Sequence, residues 1–423
     1  MADFASVIGF IFKIWPLCEK RFWGMRMTGA LDGVRIVDLT TMISGPIATM
    51  MLADQGADII KVEPKTGDLV RHLGPAKGDR TATFLAANRN KRSLVLDLKS
   101  DAGLEVLYKL IADADVVVQN FRPGAAERMG LGEAALRKIQ PDLIYVSISG
   151  FGESGPYAGK RVYDPVIQAL SGLASIQADR DTGRPRMIRT IIPDKLTAVT
   201  AAQAITAALF ARERNGKGQH VKLSMLDAMI AFLWAEGLVA LTFPGAEKHA
   251  AKSQLSQDLI YKTKDGYITV GAVSDDEWKG LCAALEQPQW LEDKRFNTPS
   301  GRVVNAGERL ALTQDVLKHK ASEDWLSVLD AHQVPCAPIL DRTTLLTHPQ
   351  IAANEIVETH EEDELGAFRL PRPAARFSET QSQSRKAAPH LGEHTRSLLA
   401  ELGYGAAEID ELLNEGAASD YKA

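Results

Sequence analysis

The chain has 423 residues, 45% of them hydrophobic and 24% charged, with a formal net charge of −5. That length exceeds one small core and calls for two or more domains, and the composition is that of a globular protein, which excludes a disordered chain or a fibre. The acidic balance argues against a polyanion-binding surface, so no nucleic-acid partner is expected; three widely separated cysteines without a C-x-x-C pair point to neither a disulfide framework nor a zinc site, and fit a cytoplasmic setting.

The first 28 residues stand apart from the rest. "FASVIGFIFKIWPLC" is apolar for about ten residues, short of the roughly 20 that cross a bilayer, and an acid precedes it where a signal peptide carries basic residues. No membrane association is expected. Residues 1–28 read as an N-terminal extension: either an over-long start, given Met25 and Met27 just before "LDGVRIVDLT", or an amphipathic arm.

From residue 34 onward, short β-branched runs alternate with helical patterns. "VRIVDLT" (34–40) reads as a strand, followed by a helix over "GPIATMMLADQG" with Pro46 in its first turn and Gly56 as its stop. "ADIIKVE" (57–63) and "RSLVLDLK" (92–99) are further strands. Ser100 then N-caps a helix whose apolar positions Leu104, Leu107, Tyr108 and Ile111 follow the i, i+3, i+4, i+7 spacing. "ADVVVQN" (114–120) and "DLIYVSIS" (142–149) are two more buried strands. Strands this rich in Val and Ile, separated by helices, imply an α/β, Rossmann-like large domain with a mostly parallel sheet. Asp164 as N-cap and Pro165 open another helix, a long helix runs from about 195 to 213, and "HVKLSMLDAMIAFLW" passes from strand to helix. Beyond about 245 a hairpin across Asp265–Gly266 and short helices such as "EDWLSVLDAHQ" indicate a smaller α+β domain.

One segment raises a question of its own. "GFGESGP" places Gly150, Gly152 and Gly155 in a G-x-G-x-x-G pattern just after a strand. A dinucleotide fingerprint needs its glycines to lead straight into a helix, whose N-terminus then holds the pyrophosphate. Here "PYAGKRVYDP" intervenes before the next helix start, so the pattern does not predict nicotinamide binding. The loop is neither a nucleophile elbow nor a phosphate loop.

Several segments taken in order resemble the class III CoA-transferase family, which includes formyl-CoA transferase and α-methylacyl-CoA racemase. They are "LDGVRIVDLT", "GPIATMMLADQGADIIKVEP", "NRNKRSLVLDLK", "VVQNFRPGAAERMGLG", "ISGFGESGPY", "YDPVIQALSG", "PDKLTAVTAAQAITAALFARERNGKGQHVKLSMLDA" and "HLGEHT", over about residues 30–405. The resemblance implies a large Rossmann-like CoA-binding domain over 29–225, a linker helix over 226–245, a small domain over 246–350, and a C-terminal part over 351–423 that returns to the large domain. It also implies an interlocked homodimer. Coenzyme A or acyl-CoA and a small carboxylic acid would be substrates, with no permanently bound cofactor and no metal. By the same resemblance, Ile43, Ser44, Lys99, Asn120, Phe121 and Arg128 line the CoA groove, and Arg161 is a basic position near the phosphates. Pro64 departs from relatives that carry arginine there, which leaves the adenine side undefined.

The residues can be weighed without the family. Coenzyme A asks for scattered cations, backbone donors and a groove rather than one strict phosphate loop. Arg89, Lys91 and Arg92 in "NRNKRS", with Arg122 and Arg128 in "NFRPGAAERMG", are cations of that kind, although composition alone favours solvated surface charges. CoA transfer between carboxylates needs a carboxylate nucleophile, best placed at a helix N-terminus where NH groups hold it and stabilise developing oxyanions. Asp194 in "IIPDKLTA" stands at such a start; read bare it is an N-cap, and by the resemblance it is the catalytic aspartate. Asp164 matches an acidic position near the centre. Tyr163 occupies the place of the racemase branch's histidine, and His72, His220 and His249 read as surface residues, so racemisation is disfavoured. An acyl-CoA racemase or epimerase and a non-catalytic CoA-binding protein remain the alternatives. Arg184, Arg186 and Arg189 are either a clamp for a second substrate carboxylate or exposed cations. "GAVSDDEW", in the region of the shielding glycine loop of formyl-CoA transferase, has one glycine among acidic residues.

Overall fold

The structure, a computed structural model, describes residues 29–179, 182–245 and 257–421. The N-terminal extension and His249 lie outside the described residues. The chain divides into two compact units. Among the described residues, one takes in those up to Ile167, Arg189–Ala228 and those from Glu358 onward; the other comprises those within Gln168–Ile188 and Met229–Val357.

The first unit is built on a seven-stranded sheet. Its parallel strands are β1 (Arg35–Asp38), β2 (Asp58–Glu63), β3 (Arg92–Leu96), β4 (Val116–Gln119), β5 (Ile144–Ser149) and β6 (His220–Ser224), in the order β3-β2-β1-β4-β5-β6. Ala418–Ser419 adds a short antiparallel edge to β3. Side chains alternate across the strands. Val37, Ile60, Leu94, Val117 and Tyr145 join one core with Leu107, Leu110, Leu398, Leu399 and Ile409. Ile36, Ile59, Val116, Val118, Ile144 and Val146 join the opposite core with Leu52, Ala198, Ala201 and Ile205. Each such buried Val, Leu or Ile side chain contributes about 1.5–3 kcal/mol, which is why these strands read as unbroken apolar runs.

Helices α1 (Ser44–Asp54), α3 (Asp164–Leu170) and α4 (Ile192–Asn215) position the site, while α2 (Asp101–Ala112) packs in the core of Val37 and Leu94. Ser100 caps α2 as expected, its hydroxyl accepting from the Gly103 amide at 3.1 Å. The buried face of α2 is Gly103, Val106, Leu107, Leu110 and Ile111, rotated from the predicted stripe. Tyr108 stays at the rim because its hydroxyl needs a polar partner, which it finds in the Gly130 carbonyl at 3.3 Å.

The second unit carries an antiparallel sheet of Ile260–Lys262, Tyr267–Val270 and Cys336–Pro338, with the hairpin turning at Asp265–Gly266. Trp278, Trp290, Phe296 and Trp325 fill its core. "GAVSDDEW" is the start of a helix closed by a capping box. The Ser274 hydroxyl accepts from the Glu277 amide, and the Glu277 carboxylate accepts from the Ser274 amide at 2.9 Å. The S-x-x-E spacing in the sequence carries that signal.

Candidate active site

The order β3-β2-β1-β4-β5-β6 reverses between β1 and β4, so the crevice of this sheet opens at the carboxyl ends of those two strands. The loop after β1 and the loop after β4 are clasped there by one side chain. The Asn120 carbonyl oxygen accepts from the Thr41 amide at 3.0 Å, and the Asn120 amide group donates back to the Thr41 carbonyl at 2.8 Å. Beside this clasp lies a cleft of about 280 Å³ lined by Thr41, Met42, Ser44, Asn120, Phe121, Ile148, Gly150, Tyr163, Asp194 and their neighbours.

Asp194 reaches the cleft through the periodicity of α4. The buried stripe Ala198, Ala201, Ile205 and Ala208 continues back by one turn to residue 194, so the spacing that packs the helix also turns Asp194 inward. Its small side chains let α4 lie close to α1 and the sheet. Asp194 is the third residue of α4 and not its N-cap; Ile191 holds the cap position, because Pro193 favours the first turn and draws the helix start ahead of it. Ile191 has no capping side chain, and Asp164 supplies one from elsewhere: its buried carboxylate accepts from the Asp194 amide at 3.2 Å.

Burial pushes the Asp194 carboxyl up to about 6, the neighbouring Asp164 charge adds to the rise, and a hydrogen bond from the Ser44 hydroxyl opposes it. At pH 7 such a group is roughly nine-tenths ionised, yet more basic and more nucleophilic than an ordinary aspartate. Ser44 opens α1, so the first turns of two helices meet at this carboxylate.

The glycine loop now has a physical account. A Cβ on Gly150 would stand 2.4 Å from Val162 Cγ1, so only glycine lets residues 157–163 fold back against the end of β5. Gly152 and Gly155 take φ of 91° and 90°, making the reversal. Phe151 and Tyr157 then stack edge to face, with Lys160 over the Tyr157 ring at 3.4 Å. The loop forms a wall of the cleft.

Of the sequence-derived positions, Ser44, Asn120, Phe121, Arg161 and Asp194 meet in this cleft. Ile43 packs beneath it in a small core with Val70, Phe84 and Leu85. Lys99 and Arg128 are exposed and outside its lining, Arg128 lying beside Gly124. Of the "NRNKRS" cations, Arg89 and Lys91 are buried and Arg92 is half-buried, and each is held by an acid of this chain. Arg89 pairs with Asp54 at 2.6 Å and Arg92 with Asp58 at 2.7 Å, while Lys91 is wholly buried and donates to Asp38 at 2.9 Å. Burial pushes Lys91 down to about 8, while Lys91 and Lys61 outweigh the burial of Asp38 and hold its carboxyl well below the usual range. Arg186 is taken by Asp179.

A second cleft, of about 500 Å³, shares Phe121, Arg122, Pro123, Ile148 and Ser149 with the first. His220 lines it and is half-buried, its Nε2 at 2.5 Å from the Ser147 hydroxyl oxygen, which corrects its reading as a surface residue. The two sit on adjacent strands, a pairing that the sequence alone does not reveal. Among the described residues no group of three or more His, Cys, Asp or Glu side chains is placed to hold a metal, and no helix is long and apolar enough to cross a membrane.

Comparison with known proteins assigns the chemistry. The model of CoA-transferase family III matches residues 31–395. The chain belongs to this family. It is 33% identical to human succinyl-CoA:glutarate CoA-transferase, covering 93% of this chain and 90% of the relative. It is also 33% identical to the acetyl-CoA:oxalate CoA-transferase of Acetobacter aceti, covering 88% of this chain and 96% of the relative. Among solved structures, a CAIB/BAIF family protein from Brucella suis aligns with a TM-score of 0.76 at 33% identity, over 89% of this chain and all of that one. Rv3272 from Mycobacterium tuberculosis aligns with a TM-score of 0.78 at 28% identity, over 88% of this chain and 99% of that one. As a family III CoA-transferase, the chain moves coenzyme A from an acyl-CoA to a carboxylic acid.

Proposed function

We propose that Asp194 is the nucleophile of this transfer. Its carboxylate attacks the thioester carbonyl, the C–S bond breaks, and CoA thiolate leaves a mixed anhydride on the enzyme. The thiolate then attacks the aspartyl carbonyl, releasing the donor acid and forming an aspartyl-CoA thioester. The acceptor carboxylate attacks that thioester, CoA thiolate leaves again, and its attack on the acceptor acyl carbon frees Asp194. No electron or proton is gained or lost over the cycle. The Ser44 hydroxyl and the amides of the α1 first turn are suited to the oxyanions that develop.

One observation carries this reading: Asp194 faces a cleft at the sheet's switch point with its carboxyl pushed up to about 6 and bonded by Ser44. Ser44, Asn120 and Phe121 line the near part of the proposed CoA groove over the buried Ile43, with the exposed Lys99 and Arg128 along it and Arg161 near its phosphates. The acceptor is a short dicarboxylic acid. Relatives named for glutarate and oxalate support that class. So do Arg122, Lys160 and Arg161, which line the cleft without an ion-pair partner among the described residues. The working form is an interlocked homodimer, as the family resemblance implies.

Incubation with succinyl-CoA, trapping with hydroxylamine and peptide mass spectrometry tests the assignment. A hydroxamate on Asp194, and its loss in Asp194→Ala with CoA affinity retained, are the expected results. Exchange activity that persists in Asp194→Ala would overturn it.

A further inference from the structure

Met42 lines the cleft and has φ of 69°, a left-handed backbone that an L side chain rarely adopts. It is held there by an unbroken series of contacts. Asp38 accepts from the Thr40 amide at 2.9 Å, and Lys61 Nζ donates to the Thr40 carbonyl at 2.9 Å. Asn120 takes both the Thr41 amide and the Thr41 carbonyl. Asp68 Oδ1 accepts from the Met42 amide at 3.0 Å, while its Oδ2 pairs with Lys61 at 3.0 Å. Five consecutive backbone groups, from the Thr40 amide to the Met42 amide, thus end on fixed partners.

The side chains of Lys61 and Asp68 are fully buried. Removing two ions from water is unfavourable, and a stable core does not require it. Strained backbone persists only where its surroundings over-determine it. Two residues beyond Met42, Ser44 begins α1 and lines the same cleft as Asp194, where its hydroxyl opposes the rise of that carboxyl.

We infer that Lys61 and Asp68 are positioning residues for the transfer reaction: through the Met42 amide they hold residue 42 left-handed, which aims the Ser44 hydroxyl and the first turn of α1 at Asp194. This rests on the assignment of Asp194 as nucleophile. Neither side chain is part of the cleft lining. Their effect passes through the backbone, and a displacement of a fraction of an ångström at Ser44 is enough to matter for the chemical step.

Three variants test it. Met42→Val leaves the ion pair intact but sets a β-branched residue at positive φ. It is expected to lower kcat by roughly tenfold or more. It is also expected to move the acid limb of the kcat–pH profile upward, because the Ser44 hydrogen bond holds the Asp194 carboxyl down. Asp68→Ala, which removes the acceptor of the Met42 amide, is expected to change kcat and the limb in the same directions. Adding Met42→Gly to Asp68→Ala should restore both, since glycine takes positive φ without being held. A lowered thermal midpoint in Asp68→Ala with kcat and the pH limb of the folded enzyme unchanged would overturn the inference, as would failure of Met42→Gly to restore them. If Asp68→Ala does not fold, Met42→Val decides alone, and an unchanged kcat and limb there would refute the clamp. Asp194→Ala is assayed in parallel: exchange that survives in it would refute the nucleophile itself, a result separate from any outcome at Met42.

Discussion

The backbone amide of Asp194 donates to the carboxylate of Asp164 at 3.2 Å, so one acid caps the helix that carries the other. The contact satisfies an amide that the α4 N-terminus would otherwise leave unpaired, and it holds a negative charge beside the Asp194 carboxyl. Asp164→Asn keeps an oxygen acceptor and removes the charge. The acid limb of the kcat–pH profile is expected to move below about 6, with stability nearly unchanged. Asp164→Ala loses the acceptor as well and should cost about 1–2 kcal/mol in urea denaturation. A limb that stays in place in Asp164→Asn would show that Asp164 does not tune its neighbour.

The rate of exchange should follow the ionised fraction of Asp194, falling as pH drops through about 6. Stability moves the other way. The folded carboxyl lies above its unfolded value, so its contribution is fully present below the unfolded value and is lost as pH rises through about 6. Asp194→Asn is therefore expected to be inactive yet more stable than the parent at pH 8, by about 1–2 kcal/mol after allowing for partial exposure. The two should converge near pH 3. Urea midpoints at the two pH values check the sign.

Lys91 is committed to Asp38, Asn88 and the Pro46 carbonyl, all within 2.9 Å. Lys91→Met is expected to lose about 3–5 kcal/mol, because it leaves the buried Asp38 charge without its partner. CoA affinity of the folded fraction should not change. Calorimetric titration with coenzyme A distinguishes this from a phosphate-binding lysine, which would lose affinity and little stability.

Gly150→Ala would set a methyl group 2.4 Å from Val162 Cγ1. A stability loss of about 1–3 kcal/mol and a marked fall in kcat are expected, since the returning segment walls the cleft. Val162→Ala placed in the same chain should recover part of both. Gly152→Ala meets no neighbour within 4 Å and carries only the strain of φ 91°, a loss of about 1 kcal/mol with activity retained. Equal losses in the two variants would show that close packing at Gly150 is not the reason for glycine there.

Much of the architecture was legible because it rests on local periodicity. The Val and Ile runs of β1, β2, β4 and β5 announce strands buried on both faces, and Ser100 announces its helix. The α4 stripe likewise carries Asp194 to the inner side. Misreadings arose where a partner lies far along the chain. Lys91 looks like a ligand cation or a surface charge until Asp38, 53 residues away, is brought to its ammonium. His220 looks exposed until β5 and β6 pair and place it against Ser147. The start of α4 lies three residues ahead of the expected one because Pro193 and the Asp164 carboxylate, not the nearest capping type, set where the helix begins.

Fold class, family and the identity of the candidate nucleophile are therefore written in short-range pattern and motif, which survive in one dimension because each element must bury its own face. The groups that make Asp194 unusual come from separate elements: Ser44 from α1 and Asp164 from α3. Only folding removes them from water and sets them within hydrogen-bond reach of one another, and proximity in a low-dielectric interior turns ordinary acids and bases into tuned ones.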